Sequence, residues 1–114
     1  MADCLFCKIA NGEIPTEMVY QDDVCAAFKD IEPQAPVHVL IVPKAHITSA
    51  LDLTAENAAV VSHIFLVAGR LARELGIAAN GFRIVNNCGM DGGQTVGHLH
   101  FHVLGGRSLQ WPPG

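Results

Sequence analysis

Two short runs rich in apolar residues, Met18 to Gln21 and Val24 to Lys29, predict two β-strands with Asp22-Asp23 as the turn between them. The run from Val37 to Val42 is almost wholly apolar and rich in β-branched residues, which predicts a buried strand ending at Pro43. Residues 31–36 contain two prolines, and we expect an extended loop there because proline cannot donate to a sheet ladder. In all, the pattern predicts five strands, at residues 18–21, 24–29, 37–42, 82–87 and 98–104.

Residues 54–75 carry an apolar residue at every third or fourth position, which predicts one long helix. Thr54 is the expected N-cap, Glu56 suits the positive end of the helix dipole, and Gly76 is the expected stop. One stripe comprises Val60, Ile64, Val67, Leu71 and Leu75, and a second comprises Val61, Phe65, Ala68 and Ala72. One stripe is enough to pack a helix on a sheet. The second predicts either a deeply buried helix or a contact between two copies of the chain, and we expect a homodimer.

The order of these elements predicts the fold class. A short helix is expected at residues 4–10, closed by Asn11-Gly12. Strands that come in runs around one main helix are typical of the α+β class with an antiparallel sheet, in contrast to a doubly wound parallel sheet. The chain of 114 residues contains no linker, repeat or low-complexity tract, so we expect a single domain over residues 1–114.

Composition narrows the classes of function. Half of the residues are apolar and the formal net charge is -4, which argues against a nucleic-acid surface because such surfaces need clustered Lys and Arg. No apolar run approaches the ~20 residues that span a bilayer, and the first residues lack the basic start of a signal peptide. In a cytoplasmic protein without membrane partners, the four cysteines are expected to be reduced thiols or metal ligands.

Three histidines occupy alternate positions of the last predicted strand: His98, His100 and His102. Alternate side chains of a strand share one face about 6.6 Å apart, so we expect a row of imidazoles there, with the apolar residues between them in the core. A row of three indicates metal ligation, proton transfer or nucleophilic catalysis. An isolated histidine is more often structural, which is the expectation for His38 and His63.

The segment before this row, residues 87–97, contains four glycines. Glycines let backbone N–H groups converge on an anion, although a flexible hairpin loop would also be rich in glycine. Next to a row of histidines, the segment indicates a phosphoryl group held against a histidine nucleophile. Gln94 and Thr95 offer neutral donors for the charge that develops on phosphorus.

The motif Gly93-Gln94-Thr95-Val96, followed by the three histidines, resembles the His-x-His-x-His signature of the histidine triad (HIT) family. The segments at residues 30–36 and 38–46 and the tail Trp111-Pro112-Pro113-Gly114 resemble the Hint branch of that family. The resemblance covers nearly the whole chain. It implies a HIT-like fold whose sheets are joined across a homodimer, and the activity of a purine nucleoside phosphoramidase, which hydrolyses P–N bonds such as those of adenosine 5′-phosphoramidate and AMP-lysine.

The resemblance also implies roles for individual residues. His100 is the nucleophile that attacks the α-phosphorus to give a nucleotidyl-histidine, and His102 joins it in catalysis. The implied phosphate contacts are Asn87, Gly93, Thr95 and His102. The implied nucleoside contacts are Asp30 at the ribose hydroxyls and Phe6, Ile9, Phe28 and Ile31 around the base. By themselves, these four apolar residues would be predicted as core.

The pair Cys4 and Cys7 resembles half of a zinc site found in some relatives, whose other ligands would here be His46 and His98. A Cys₂His₂ set is closed and structural, so zinc would leave His100 free for chemistry and would not be needed for catalysis. The alternative is that both cysteines are apolar residues of a short helix, because one CxxC pair is not a full ligand set.

Three functions stay open from the sequence. The first is the phosphoramidase, acting on a purine nucleotide of the AMP or GMP type. The second is hydrolysis of dinucleoside polyphosphates, which other branches of the family perform. The third is a nucleotide-binding or zinc-stabilised interaction module with little catalysis, against which the intact triad argues.

Overall fold

The computed structural model describes residues 4–114 and contains one antiparallel sheet with the strand order β1-β2-β3-β5-β4. The α+β prediction with five antiparallel strands is therefore confirmed. The central strand is β3, which pairs with β2 on one side and β5 on the other. The strands are β1 (Met18–Gln21), β2 (Cys25–Lys29), β3 (Val37–Pro43), β4 (Phe82–Val85) and β5 (Phe101–Gly105).

Two strands are shorter than predicted at the end nearest the histidines. The strand predicted at residues 98–104 begins only at Phe101, because the Leu99 N–H leaves the sheet and donates to the carbonyl of Ile47 at 2.6 Å. The strand predicted to reach residue 87 ends at Val85, which pairs with His102. Both segments therefore leave the sheet at this end of the two strands.

The long helix is α2 (Ala59–Glu74), which begins later than predicted. The N–H of Thr54 donates to Oδ1 of Asn57 at 2.7 Å, and its carbonyl accepts from the N–H of Ala58 at 2.9 Å. These bonds form a separate turn, so Thr54 is not the N-cap of α2. The predicted stop is confirmed, since Gly76 follows the helix with a φ of +79°. No helix within residues 4–114 is long and apolar enough to cross a membrane.

The sheet carries a separate apolar cluster on each face. On one face, α2 packs over β2, β3 and β5, and we call this the helix-face cluster. Its buried members include Ala27, Val39, Ile41, Ile64, Leu71, Leu99 and Val103. On the other face, the short helix α1 (Leu5–Ala10) packs over β2 and β3, and we call this the site-face cluster. Its buried members are Phe6, Ile9, Ala10, Ala26, Phe28, Leu40 and Val42.

The second apolar stripe of α2 is divided between core and surface. Ala68 and Ala72 are buried in the helix-face cluster beside the first stripe. Phe65 is 48% exposed, with its ring edge-on to that of Phe101 at 5.9 Å, and the neighbouring Leu66 is 76% exposed. The predicted homodimer stays a prediction, and these two side chains are the apolar surface that α2 offers to it.

A polar contact fixes α2 to the turn between β1 and β2. Asp22 accepts from the Tyr20 hydroxyl at 2.7 Å, and its Oδ2 lies 2.7 Å from Nε2 of His63 on α2. Burial alone would raise the pKa of Asp22. Hydrogen bonds from Tyr20 and the turn backbone outweigh this effect and hold the pKa well below its usual range. His63 therefore has the structural role that the sequence predicts.

Candidate active site

A cavity of about 500 Å³ opens on the site face of the sheet, between α1, the loop after β2 and the glycine-rich segment. Its size lies in the range that holds one small-molecule ligand. The wall is mostly apolar, with polar side chains among its lining residues. The lining residues are Leu5, Phe6, Ile9, Thr16, Phe28, Lys29, Asp30, Ile31, Glu32, Gln34, His38, Leu40, Thr95, Val96, His100 and His102.

The three histidines of the motif divide between two places. His100 and His102 line the cavity, and His98 lies behind them with no exposed surface. The apolar residues between them, among them Leu99 and Phe101, belong to the helix-face cluster, as the alternation predicts. The face that holds the imidazoles is therefore the face that holds the cavity.

The hydrogen bonds of His100 determine its tautomer. Its Nδ1 lies 2.7 Å from the carbonyl oxygen of His98, which can only accept, so Nδ1 carries the proton and Nε2 keeps a lone pair. The ring of Phe6 meets it edge-on at 5.1 Å, and Nδ2 of Asn86 donates to the His100 carbonyl at 2.9 Å. These contacts hold both the ring and the backbone of His100, and only 3% of its surface is exposed.

A second chain of hydrogen bonds determines the tautomer of His102. The N–H of Gln34 donates to Nδ1 of His38 at 3.0 Å, so the proton of His38 is on Nε2. That Nε2 lies 2.9 Å from Nδ1 of His102, which must accept. The proton of His102 is therefore on Nε2, the ring atom left free for a ligand. His38 is accordingly a member of the cavity, in contrast to the structural role expected from the sequence.

Burial keeps both members of this histidine pair neutral. It lowers the pKa of His102 to about 4, with the charges of His100 and His38 acting in the same direction. Burial also lowers the pKa of His38, against the opposing effect of Asp30, whose Oδ2 lies 3.4 Å from Nε2 of His38. At neutral pH, His102 therefore acts as a hydrogen-bond donor without a positive charge.

The stability of the protein should consequently decrease as the pH falls from about 6.5 to about 4. The unfolded chain binds protons at its histidines near pH ~6.5, whereas folded His102 does so only near its pKa of about 4, so protons favour the unfolded state between these values. Urea unfolding at several pH values measures the slope. His102→Gln, which cannot bind that proton, should show a shallower slope. Equal slopes for both proteins would contradict this assignment.

Asp30 and Ile31 lie at the entrance of the cavity. Oδ1 of Asp30 accepts from the backbone N–H of Glu32 at 2.8 Å, which holds the carboxylate at the start of the loop. Ile31 is 91% exposed, although it lines the cavity. Phe6, Ile9 and Phe28, which the resemblance also places around a base, are at once members of the site-face cluster and part of the cavity wall.

The glycine-rich segment is more ordered than a flexible hairpin loop. It contains a short helix, α3 (Gly89–Gly92), and Gly93 follows this helix with a φ of +82°. The side chain of Gln94 bonds to backbone groups of Gly89, Thr48 and Val96, so its amide shapes the segment and does not offer a donor to the cavity. Of the implied phosphate contacts other than His102, Thr95 lines the cavity, whereas Asn87 and Gly93 are outside its lining within residues 4–114.

The four residues named as metal ligands come together at the N-terminus of α1. Sγ of Cys4 lies 3.2 Å from Nδ1 of His98, and Sγ of Cys7 lies 3.2 Å from Nδ1 of His46. All four ligand atoms lie within 4.8 Å of one another. Tetrahedral zinc with bonds of ~2.0–2.3 Å spaces its donors by about 3.3–3.8 Å, so the cluster fits this ion.

The protonation of the cluster also fits a metal. Nε2 of His98 donates to the carbonyl oxygen of Pro43 at 2.8 Å, which leaves the lone pair of Nδ1 directed at the cysteines. Burial and the neighbouring Cys4 thiol raise the pKa of Cys7 to about 11. A thiolate at Cys7 is therefore unfavourable without a cation, and a bound divalent ion would remove that cost.

Comparisons with known proteins give the family. The family model of the HIT domain matches residues 11–109. An uncharacterized HIT-like protein of Synechococcus elongatus is 52% identical over 112 residues, which cover 98% of this chain and 97% of that protein. The purine nucleoside phosphoramidase of Escherichia coli is 45% identical over 107 residues, which cover 94% of this chain and 90% of that protein. The chain therefore belongs to the HIT family.

Solved structures agree with this assignment. A HIT family hydrolase from Legionella pneumophila superposes with a TM-score of 0.96 at 47% identity, covering 98% of this chain and all of the other. A zinc-bound histidine triad family protein from Mycobacterium smegmatis superposes with a TM-score of 0.79 at 33% identity, covering 93% of this chain and 76% of the other. The HIT-like fold expected from the motif is thus confirmed.

Proposed function

We propose that this protein is a nucleotide hydrolase that splits the P–N bond of purine nucleoside phosphoramidates through a nucleotidyl-histidine intermediate. The observation that carries the proposal is the orientation of His100 on the cavity wall, where Nδ1 donates to the His98 carbonyl and Nε2 is free of any bond within residues 4–114. The name of the Escherichia coli relative supports this choice of substrate class.

In the first step, Nε2 of His100 attacks the α-phosphorus as the bond to the leaving amine breaks. The attack places positive charge on the imidazole, which the bond from Nδ1 to the His98 carbonyl stabilises. The N–H at Nε2 of His102 and the hydroxyl of Thr95 donate to the phosphoryl oxygens. We also assign Asn87 and the Gly93 backbone to the phosphate contacts, on the resemblance to the family alone.

In the second step, water attacks the phosphorus of the nucleotidyl-histidine and loses a proton to solvent as the P–N bond to His100 breaks, which releases the nucleoside monophosphate and restores the imidazole. The leaving amine needs a proton in the first step. Because burial lowers the pKa of His102 to about 4, that residue is a neutral donor at pH 7. We therefore assign this proton to the ammonium form of the substrate itself, and to His102 the role of orienting the phosphoryl group.

In this proposal, the nucleoside contacts the apolar residues of the cavity wall. The base lies between α1 and the loop after β2, against Phe6, Ile9, Phe28 and Ile31. These rings and aliphatic groups offer stacking area without donors or acceptors that would distinguish one purine from another. The carboxylate of Asp30, which also lines the cavity, accepts from the ribose hydroxyls.

We further propose that Cys4, Cys7, His46 and His98 bind one structural zinc ion. The fit of the four donors to a tetrahedron supports this, and a related protein from Mycobacterium smegmatis is zinc-bound. The ion would hold α1 against the sheet and take no part in the chemistry. The four free cysteines also fit a cytoplasmic location.

A homodimer formed through α2 is the third part of the proposal. Phe65 and Leu66 leave an apolar surface on this helix that water would otherwise cover. Sedimentation at micromolar concentration should therefore show a dimer, and Leu66→Glu should shift it toward monomer because a charge cannot be buried there without a partner. Only monomer in the unsubstituted protein would contradict the proposal.

Parallel rate measurements test the substrate class. The protein should hydrolyse an adenosine phosphoramidate with a higher kcat/KM than a dinucleoside tetraphosphate. The two compounds differ in the leaving group, an amine in the first and a nucleoside polyphosphate in the second, so the ratio of the rates reports which of them the cavity accepts. Faster cleavage of the tetraphosphate would place the protein with the polyphosphate hydrolases. Nucleotide binding without turnover of either compound would make it a binding module.

A further inference from the structure

Helix α1 belongs to two sites at once. It has six residues, and a helix of that length is not stable in water by itself, so its position depends on what it contacts. Its N-terminus carries Cys4 and Cys7, whose sulfurs lie 3.2 and 3.4 Å from Nδ1 of His98. Its inner face carries Phe6, which lines the nucleotide cavity.

Phe6 and His98 are the physical connections between these sites. Phe6 lies between the two cysteines in the sequence, and only 5% of its surface is exposed. Its ring meets the rings of Phe28 and His100 edge-on, at centroid distances of 5.6 and 5.1 Å. The ring of His98 faces the cysteines, and its carbonyl accepts a hydrogen bond from Nδ1 of His100. A shift of α1 therefore moves one wall of the cavity, and a shift of His98 moves the group that orients the nucleophile.

We propose that Phe6 and His98 couple the two sites, so that a divalent thiophilic cation at the cysteines strengthens nucleotide binding in the cavity. The inference rests on the proposed function, since it requires that the cavity bind a nucleotide. With the cation bound, α1 is fixed and the wall formed by Phe6 is preorganised. Without it, binding a nucleotide must also order α1. By linkage, a nucleotide must strengthen binding of the cation by the same factor.

Two titrations measure the coupling without recourse to turnover. AMP is titrated by calorimetry into zinc-loaded and chelator-treated protein, and zinc affinity is measured by competition with a fluorescent chelator with and without saturating AMP. Both should give the same factor, of about tenfold. Identical AMP affinities with and without zinc would overturn the coupling.

Two variants locate the connection. Phe6→Ala keeps all four metal ligands, so it should still bind zinc but should lose most of the coupling. Ile31→Ala is the matched control, since it removes an apolar wall residue that does not belong to α1. This substitution should weaken AMP binding and leave unchanged the factor by which zinc strengthens that binding. Undiminished coupling in Phe6→Ala would run through His98 or the folding of the whole domain, and would overturn the role given to Phe6.

The two proposals fail in different ways. If the zinc-loaded protein does not bind AMP, both the proposed function and the coupling are wrong. If AMP binds but zinc does not associate at one equivalent per chain, the coupling is wrong while the proposed function stands. If both bind independently of each other, only the coupling is wrong.

Discussion

His100→Ala should reduce turnover of an adenosine phosphoramidate by at least about 10⁴-fold, because the side chain that attacks phosphorus is removed. AMP should still bind within a few fold of the original affinity, since the proposed base and ribose contacts come from α1 and the loop after β2. Turnover and calorimetric binding, measured on the same preparation, separate the two effects. Near-native turnover of the alanine variant would exclude the covalent scheme.

The intermediate itself should be detectable. Acid quench in the first turnovers, followed by mass spectrometry, should find one nucleotide on a peptide containing His100 and none in the alanine variant. His63→Gln is the matched control, because this imidazole lies on α2 and bonds to Asp22, away from the cavity. It should retain turnover per folded molecule and the same adduct at His100.

Removal of zinc should have the largest effect on stability. Zinc-loaded protein should retain about one equivalent through gel filtration, and Cys4→Ala should release it because a tetrahedral site then lacks one ligand. An ion present at ~1,000 times its dissociation constant contributes about 4 kcal/mol, so the melting temperature should fall by about 10 °C or more. Calorimetry of both proteins, with metal analysis, measures this.

Cys88→Ala is the control for that experiment. This cysteine is also free and partly buried but precedes α3, apart from the metal cluster. It should keep its zinc and nearly the original melting temperature. If purified wild-type protein contained no zinc and melted at the same temperature as Cys4→Ala, the two cysteines would be packing residues of α1.

The period of the apolar pattern predicted the sheet and the long helix, because burial of one face imposes it directly. The start of the helix was predicted wrongly for a local reason. Thr54 has the chemistry of an N-cap, but the side chain of Asn57 bonds to its N–H and forms a separate turn. Such a bond from a side chain to a nearby backbone N–H depends on geometry that propensity does not contain.

The sequence predicted the parts of the site whose residues repeat at a regular interval, such as the histidines at alternate positions of the last strand. His38 stands alone in its segment, without such a repeat. It enters the cavity only because β3 pairs with β5 in a register that sets Leu40 opposite His102, which places His38 diagonally next to that residue. Asn86 gives no signal in the sequence either, since its bond to the His100 carbonyl depends on where β4 ends. The metal cluster joins Cys4 to His98, 94 residues away, and only the motif of the family connected them in advance.

Ala26 and Ala27 are adjacent on β2 and have no exposed surface, yet they belong to the two opposite clusters of the sheet. A larger side chain at 27 presses on α2 and must disturb the packing on which folding depends. A larger side chain at 26 presses on the layer of α1 and changes the shape of the ligand cavity. Neighbouring positions of one strand thus act on separate layers, the long helix at 27 and the layer of α1 at 26. In a domain of this kind, one layer can change during evolution while the other stays as it is.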